Sequence, residues 1–177
     1  MITTIALIGF MGSGKTTVGK RIQEMYPMYQ FLDSDEEIVK RAGMSIPEIF
    51  ESQGEAAFRK MECDYLKELS ENPADSRIIL STGGGMPMNP DSGKILKEKA
   101  FTVYLYADVD ELYERLKNDK GRPLLQVEDR RAVISDMYEK RNPVYSQVAT
   151  YKVNTAGRLV DEVCDEIIGT YNMFIQS

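Results

Sequence analysis

The string "GFMGSGKT" at residues 9–16 narrows the folds open to this chain of 177 residues more than any other stretch. It follows the apolar run "TIALIGF" and precedes a helical pattern. Gly9, Gly14, Lys15 and Thr16 therefore meet the G-x-x-x-x-G-K-[ST] pattern in the strand-to-helix context that gives the pattern its meaning. Glycines let the backbone wrap an anion with its N–H groups turned inward, and the helix that follows adds its positive end. Gly12, Ser13, Gly14, Lys15, Thr16 and Thr17 are accordingly the candidate nucleotide-binding residues. Lys15 has the reach for the β and γ phosphates, and the Thr16 hydroxyl is placed to ligate Mg²⁺. With Gly at roughly 7% of residues, a chance match is on the order of one in a hundred for a chain of this length. The ligand implied is a nucleoside triphosphate.

Further apolar runs at "QFLDSD", "RIILST", "TVYLYA" and, more weakly, "TYKVN" alternate with helical patterns, as in a five-stranded parallel α/β sheet. Helix starts are marked by capping boxes at Ser45/Glu48 and Asp108/Glu111, and by Asn89 before Pro90. In "AAFRKMECDYLKEL", Phe58, Met61, Tyr65 and Leu69 recur at helical spacing and predict one buried stripe. The length suits one domain, residues 1–177, and no repeat or low-complexity segment divides it. Between Lys117 and Arg131 the chain is polar and charged, interrupted by Gly121 and Pro123. Two readings fit this segment equally: an ordinary surface loop, or a lid over an active site.

Composition removes several classes of function. The formal net charge of −6 argues against a nucleic-acid or anionic-membrane partner, since both demand a net attraction to phosphate. Phosphates must then be met by a few concentrated positive charges. No apolar run approaches the roughly 18 to 20 residues of a membrane span, and no basic stretch precedes the first one, so a cytoplasmic address is the expectation. Cys63 and Cys164 lie far apart and the chain has no histidine, which suggests two reduced thiols and neither a zinc site nor a disulfide framework.

Ligands of an open parallel sheet sit beyond the carboxyl ends of its strands. The second strand ends in "FLDSD", so Asp33 and Asp35 would share a direction if the extended geometry persists. The third ends in "STGGG", where Gly83, Gly84 and Gly85 allow backbone to approach a small ligand. Alone, the aspartates read equally as a cap or turn and the glycines as a loop. Their common edge with the phosphate loop favours a site. The nearest string to a guanine-reading N-K-x-D motif is "KNDK", which does not fit. An acid is also missing at the end of "RIILST", leaving Asp33 as the carboxylate for Mg²⁺, directly or through water.

Taken together, "GFMGSGKTTVGKRI", "FLDSDEEI", "SIPEIFESQGEAAFRKME", "STGGG", "RLKNDKGRPLL" and "RNPVYSQVA" resemble the shikimate kinase family in order and spacing, from about Ile5 to Thr155. The resemblance implies a three-layer α/β/α P-loop kinase fold with a substrate-binding cap at 36–63 and a lid at 117–131. It implies a monomer that uses ATP, with Mg²⁺, to phosphorylate shikimate at its 3-hydroxyl in chorismate and aromatic amino acid biosynthesis. By the same resemblance Arg59 and Arg141 clamp the substrate carboxylate, Asp35 with Gly83, Gly84 and Gly85 holds its hydroxyls, and Thr16 and Asp33 hold the metal. Lys15, Asp35 and Arg122 become the catalytic set, with Arg122 closing from the lid, while Arg115 stacks on adenine and Arg158 approaches the nucleotide. Plainer assignments stand beside these: Arg59 paired with Glu55 or Glu62 on its own helix, Arg141 with nearby acids, Arg115 on a helix surface. A kinase of the same fold acting on gluconate or a nucleoside monophosphate, and a nucleotide-binding module without turnover, also remain open.

Overall fold

A computed structural model describes residues 2–71, 77–119 and 123–176. Strands β1 (Thr4–Ile8), β2 (Tyr29–Asp33), β3 (Arg77–Ser81), β4 (Phe101–Tyr106) and β5 (Tyr151–Asn154) form one sheet of order β2-β3-β1-β4-β5. Every neighbouring pair is parallel. Alternate residues of β1 explain why both faces are covered. Ile5 and Leu7 face one way, Ala6 and Ile8 the other, and all four are fully buried.

On the first face, Ile5, Leu7, Ile79, Val103 and Leu105 pack against Val18 and Ile22 of α1 (Lys15–Met25) and against Val163, Ile167 and Tyr171 of α8 (Val160–Gln176). On the second, Ala6, Ile8, Ile78, Leu80 and Tyr104 meet α4 (Glu55–Glu71), α5 (Pro90–Lys99), α6 (Val109–Leu116) and α7 (Arg130–Val148). The result is helix, sheet, helix: the three layers expected from the sequence. Cys63 and Cys164 are both free and buried. Among the described residues no helix is long and apolar enough to cross a membrane.

Helices α2 (Ser34–Ala42) and α3 (Ile46–Gln53) follow β2 and lean on α4, α2 also reaching its later turns where Arg41 meets Tyr65 and Glu68. Their small core is Ile38, Ile49 and Phe58. Phe58 and Met61 belong to this cluster, whereas Tyr65 and Leu69 belong to the main core. The single stripe expected on α4 thus serves two cores, because the helix is long enough to pass from the α2–α3 cluster into the main one. Ser45 and Glu48 form the expected reciprocal box. The second box is only half made: Asp108 accepts from the Glu111 N–H, but the Glu111 carboxylate accepts from Arg115 instead, at 2.8 Å. Asn89 caps α5 as its sequence suggests.

The far end of α5 is tied to β4 by Thr102, fully buried, whose Oγ1 donates to the Leu96 carbonyl at 2.7 Å. Thr102→Val keeps the shape and removes the bond, leaving a buried carbonyl without that donor. A loss of about 1–2 kcal/mol is expected in urea unfolding, with the slope unchanged.

Candidate active site

The phosphate loop leaves β1 at Gly9, where φ is +147° and a Cβ would stand 2.3 Å from the Leu105 carbonyl oxygen. No side chain fits so close an approach to β4. Gly14, at φ +96°, then turns the chain into α1. Helices α2, α3, α5, α6 and α7 are each capped by a side chain at the N-terminus, but α1 has neither a side-chain cap nor an acid in its first turn. Its unsatisfied N–H groups and positive end are thereby left for an anion. Lys15 folds across its own loop, Nζ donating to the carbonyls of Gly9 at 2.9 Å and Phe10 at 3.0 Å. The ammonium group is held over the point where phosphate oxygens would enter.

A cleft of about 300 Å³ opens from this loop to Asp33, Asp35, Ser81, Gly83 and Gly84. On its near wall Thr16 Oγ1 donates to Asp33 Oδ2 at 3.3 Å and lies 3.3 Å from Ser81 Oγ. Asp33 Oδ1 accepts from the N–H groups of Asp35 and Glu36, which caps α2. The cap reading of Asp33 thus holds for one oxygen, while the other accepts from Thr16 at the edge of the cleft. Ser81 was not anticipated. It occupies the strand end where an acid was sought and missed, and the β2–β3 register sets it opposite Asp33. One carboxylate and two hydroxyls are hard oxygen donors, a set that suits Mg²⁺ when phosphates and water complete the shell. Among the described residues no cluster of three or more His, Cys, Asp or Glu could hold a metal unaided.

The far wall is built round the three glycines. A Cβ on Gly83 would meet Asp35 Oδ1 at 2.6 Å and Glu62 Oε1 at 3.0 Å, and one on Gly85 would strike Arg59 Nη2 at 2.3 Å. Arg141 Nη1 and Tyr145 Oη lie 3.5 and 3.7 Å from the corresponding point on Gly84. Two arginines and two acids from three helices converge here, and the missing side chains of Gly83 and Gly85 are what admit Asp35, Glu62 and Arg59. The loop itself is held by the Gly83 N–H donating to Ser34 Oγ at 3.0 Å and by Tyr145 Oη donating to the Gly84 carbonyl at 2.6 Å.

Arg59 does make the plain ion pairs, to Glu62 at 2.7 Å and Glu55 at 3.0 Å, yet its guanidinium still lies against Gly85. The two acids hold the arginine against the glycine loop. Glu62 is wholly buried, and burial pushes its carboxyl up to about 7, with Arg59 pulling the other way and the Asp35 charge adding to the rise. Sequence reasoning treated Glu62 only as a surface partner and passed over Ser34 and Tyr145. A signal for Glu62 existed, since it falls between Phe58 and Tyr65 on the buried side of α4.

Arg115 and Arg158 line a second hollow of about 250 Å³ on the other side of the phosphate loop, with Thr155 and Val160. Arg115 donates to the carbonyls of Gly12 at 3.2 Å and Thr155 at 3.0 Å, and Arg158 pairs with Glu166 at 2.6 Å. Arg122 lies outside the described residues, as do positions 120 and 121 of the expected lid. The described residues on either side of that gap are anchored. Arg130 Nη1 donates to the carbonyls of Leu116, Lys117 and Asp119, and Leu125 is buried while Leu124 is exposed.

Comparison with known proteins bears on the family and the fold. The family model described as shikimate kinase matches residues 11–172. The chain is 43% identical over 152 residues to a shikimate kinase of Neisseria gonorrhoeae, covering 86% of this chain and 87% of that one. It is 38% identical over 164 residues to one of Burkholderia pseudomallei, covering 93% and 87%. The solved shikimate kinase of Acinetobacter baumannii in complex with shikimate superposes with a TM-score of 0.86 at 37% identity, over 98% of this chain and 94% of that chain. With the phosphate loop, the glycine-lined acid pocket and the strand order all in place, the chain belongs to the shikimate kinase family.

Proposed function

We propose that this protein transfers the γ-phosphoryl group of ATP to the 3-hydroxyl of shikimate, giving shikimate 3-phosphate and ADP in aromatic biosynthesis. The observation that carries this reading is the single cleft joining the uncapped start of α1 and Lys15 to Asp35 and the glycine loop, against which Arg59 and Arg141 lie. The nucleotide's phosphates take the phosphate loop, and its base lies toward the hollow lined by Arg115 and Arg158. The acid's carboxylate takes the planar guanidinium groups of Arg59 and Arg141, whose forked donors match two carboxylate oxygens. Asp35 and the backbone of Gly83, Gly84 and Gly85 hold the hydroxyls.

The transition state of phosphoryl transfer is loose and anionic, so positioning and charge neutralisation outweigh deprotonation of the acceptor. Asp35 orients the 3-hydroxyl and accepts its proton. Lys15 leaves the Gly9 and Phe10 carbonyls to follow the charge that develops on the phosphates. Thr16 and Asp33, joined by Ser81, are the residues that would hold Mg²⁺. When bound, that ion supplies charge neutralisation at the phosphate oxygens. Arg122 is assigned to the transferring group on the strength of the family pattern, and closure of 117–131 would exclude water as a competing acceptor. The cap at 36–63 closes the shikimate side. A monomer in the cytoplasm completes the reading.

A coupled assay of ADP release tests it directly: release should depend on shikimate and stop on chelation of divalent cations. ADP release that ignores shikimate, or that answers to gluconate or a nucleoside monophosphate instead, would replace the acceptor. In Arg141→Ala the loss of one or more charge-assisted bonds, about 1.5–3 kcal/mol each, should raise the shikimate KM roughly 10- to 150-fold with a smaller change in kcat. Lys15→Ala should lower kcat by a factor on the order of 100 or more and leave shikimate affinity close to that of the parent. Gly85→Ala forces the Arg59 guanidinium from its seat and should raise the shikimate KM at least about 10-fold while the ATP KM holds, measured by varying each substrate in turn.

A further inference from the structure

Glu62 is a wholly buried carboxylate with one oxygen committed and one not. Oε2 accepts from Arg59 Nη1 at 2.7 Å, whereas among the described residues Oε1 has no hydrogen-bond partner. Oε1 and Asp35 Oδ1 crowd the same point beside Gly83, 3.0 and 2.6 Å from where a Cβ would stand. Two carboxylates so placed, one of them out of water, resist ionising together. The charged and titratable groups round Glu62 are Arg59 and the exposed Glu55 on its own helix, Asp35 from α2, and Arg141 and Tyr145 from α7 across Gly84. Two guanidinium groups thus face three acids before any ligand arrives.

We infer that Glu62 is the proton-holding residue of the acceptor pocket, and that binding of shikimate draws a proton from solvent onto its Oε1. The inference rests on the reading that the ligand's carboxylate settles on Arg59. That carboxylate competes with Glu62 for the one guanidinium and adds a further negative charge beside it, and both effects favour the neutral acid. The buffer acid loses the proton and Glu62 gains it. The sign follows from the free protein: with burial already holding the Glu62 carboxyl at about 7, the group is divided between its two forms near neutrality, and a rise on binding means uptake. A rise of about one unit gives roughly 0.4 proton at pH 7 and a dissociation constant about five-fold weaker at pH 8 than at pH 6.

Few other groups could imitate the effect. The chain has no histidine, and burial pushes the Cys164 thiol up to about 12. An ordinary carboxylic acid titrates near 4, so the ligand itself does not change charge between pH 6 and 8. The experiment is calorimetric titration of the intact protein with shikimate alone, in two buffers of different ionisation heat, between pH 5.5 and 8. The expected result is an uptake of a few tenths of a proton between pH 7 and 8, vanishing at pH 5.5, with a pH-independent dissociation constant and no uptake in Glu62→Gln. A binding heat independent of buffer throughout, or equal uptake in the Gln variant, would overturn the inference. Melting curves show whether Glu62→Gln is folded. If it is not, the pH course of the parent protein decides, and an uptake that grows toward pH 5.5 overturns the assignment to Glu62. Absence of any shikimate-dependent heat in the parent would overturn the acceptor reading itself, and this inference with it.

Discussion

The arrangement depends first on the parallel register of three strands. Asp33 stands opposite Ser81, and Ser81 opposite Leu7, so β2, β3 and β1 end flush and their following loops issue from one line. Because parallel strands require crossover helices, the three loops cannot close on themselves as hairpins and must each begin or approach a helix. The phosphate loop begins α1, Asp33 caps α2, and the glycine loop passes Ser34 and Tyr145 before reaching α5. A shift of one residue in the β2–β3 pairing would carry Asp33 to the opposite face of the sheet and break its contact with Thr16.

Charge is placed with similar economy. The chain as a whole is acidic, yet three of the arginines at its two hollows have an acid behind them: Arg59 with Glu62 beside the cleft, and Arg115 with Glu111 and Arg158 with Glu166 across the phosphate loop. The two partly exposed pairs add little stability, on the order of 0–1 kcal/mol, and the buried Glu62 offsets part of its attraction to Arg59 by losing water. Their effect is to fix long flexible side chains before a ligand arrives, so that less rotamer entropy is lost on binding. The acidic remainder of the surface leaves these few positions as the places where an anion is attracted.

Much of this was legible in residues 9–16 and in the strand runs, since a loop that must wrap an anion and a sheet buried on both faces each impose strong local patterns. Asp33 and the three glycines are legible as neighbours because they end or follow consecutive strands, whereas the extended geometry expected from Asp33 to Asp35 stops at Asp33 and Asp35 reaches the cleft from the first turn of α2. Ser81 was not, since a serine at a strand end carries no distinctive chemistry until the register sets it against Thr16 and Asp33. Glu62 was read as half of a surface pair because spacing along one helix says which side chains can touch, not whether water reaches them. The α4 stripe was read as one because periodicity reports a face and not what packs against it, and here two clusters do. The Asp108 box failed for a related reason: Glu111 had a stronger partner in Arg115 than in the backbone.

The division of α4 between two cores has a mechanical corollary. Rooted by Tyr65, Leu66 and Leu69 among the residues beneath the sheet, the helix carries Arg59 and Glu62 as fixtures of the molecule's frame. Helix α3, by contrast, is joined to its neighbours through Gly43 and Gly54, both at positive φ, and its hold on α4 is the small cluster round Ile49 and Phe58. The placement of the two charged side chains is thus inherited from the sheet through α4, and the helix above supplies a wall but not their footing.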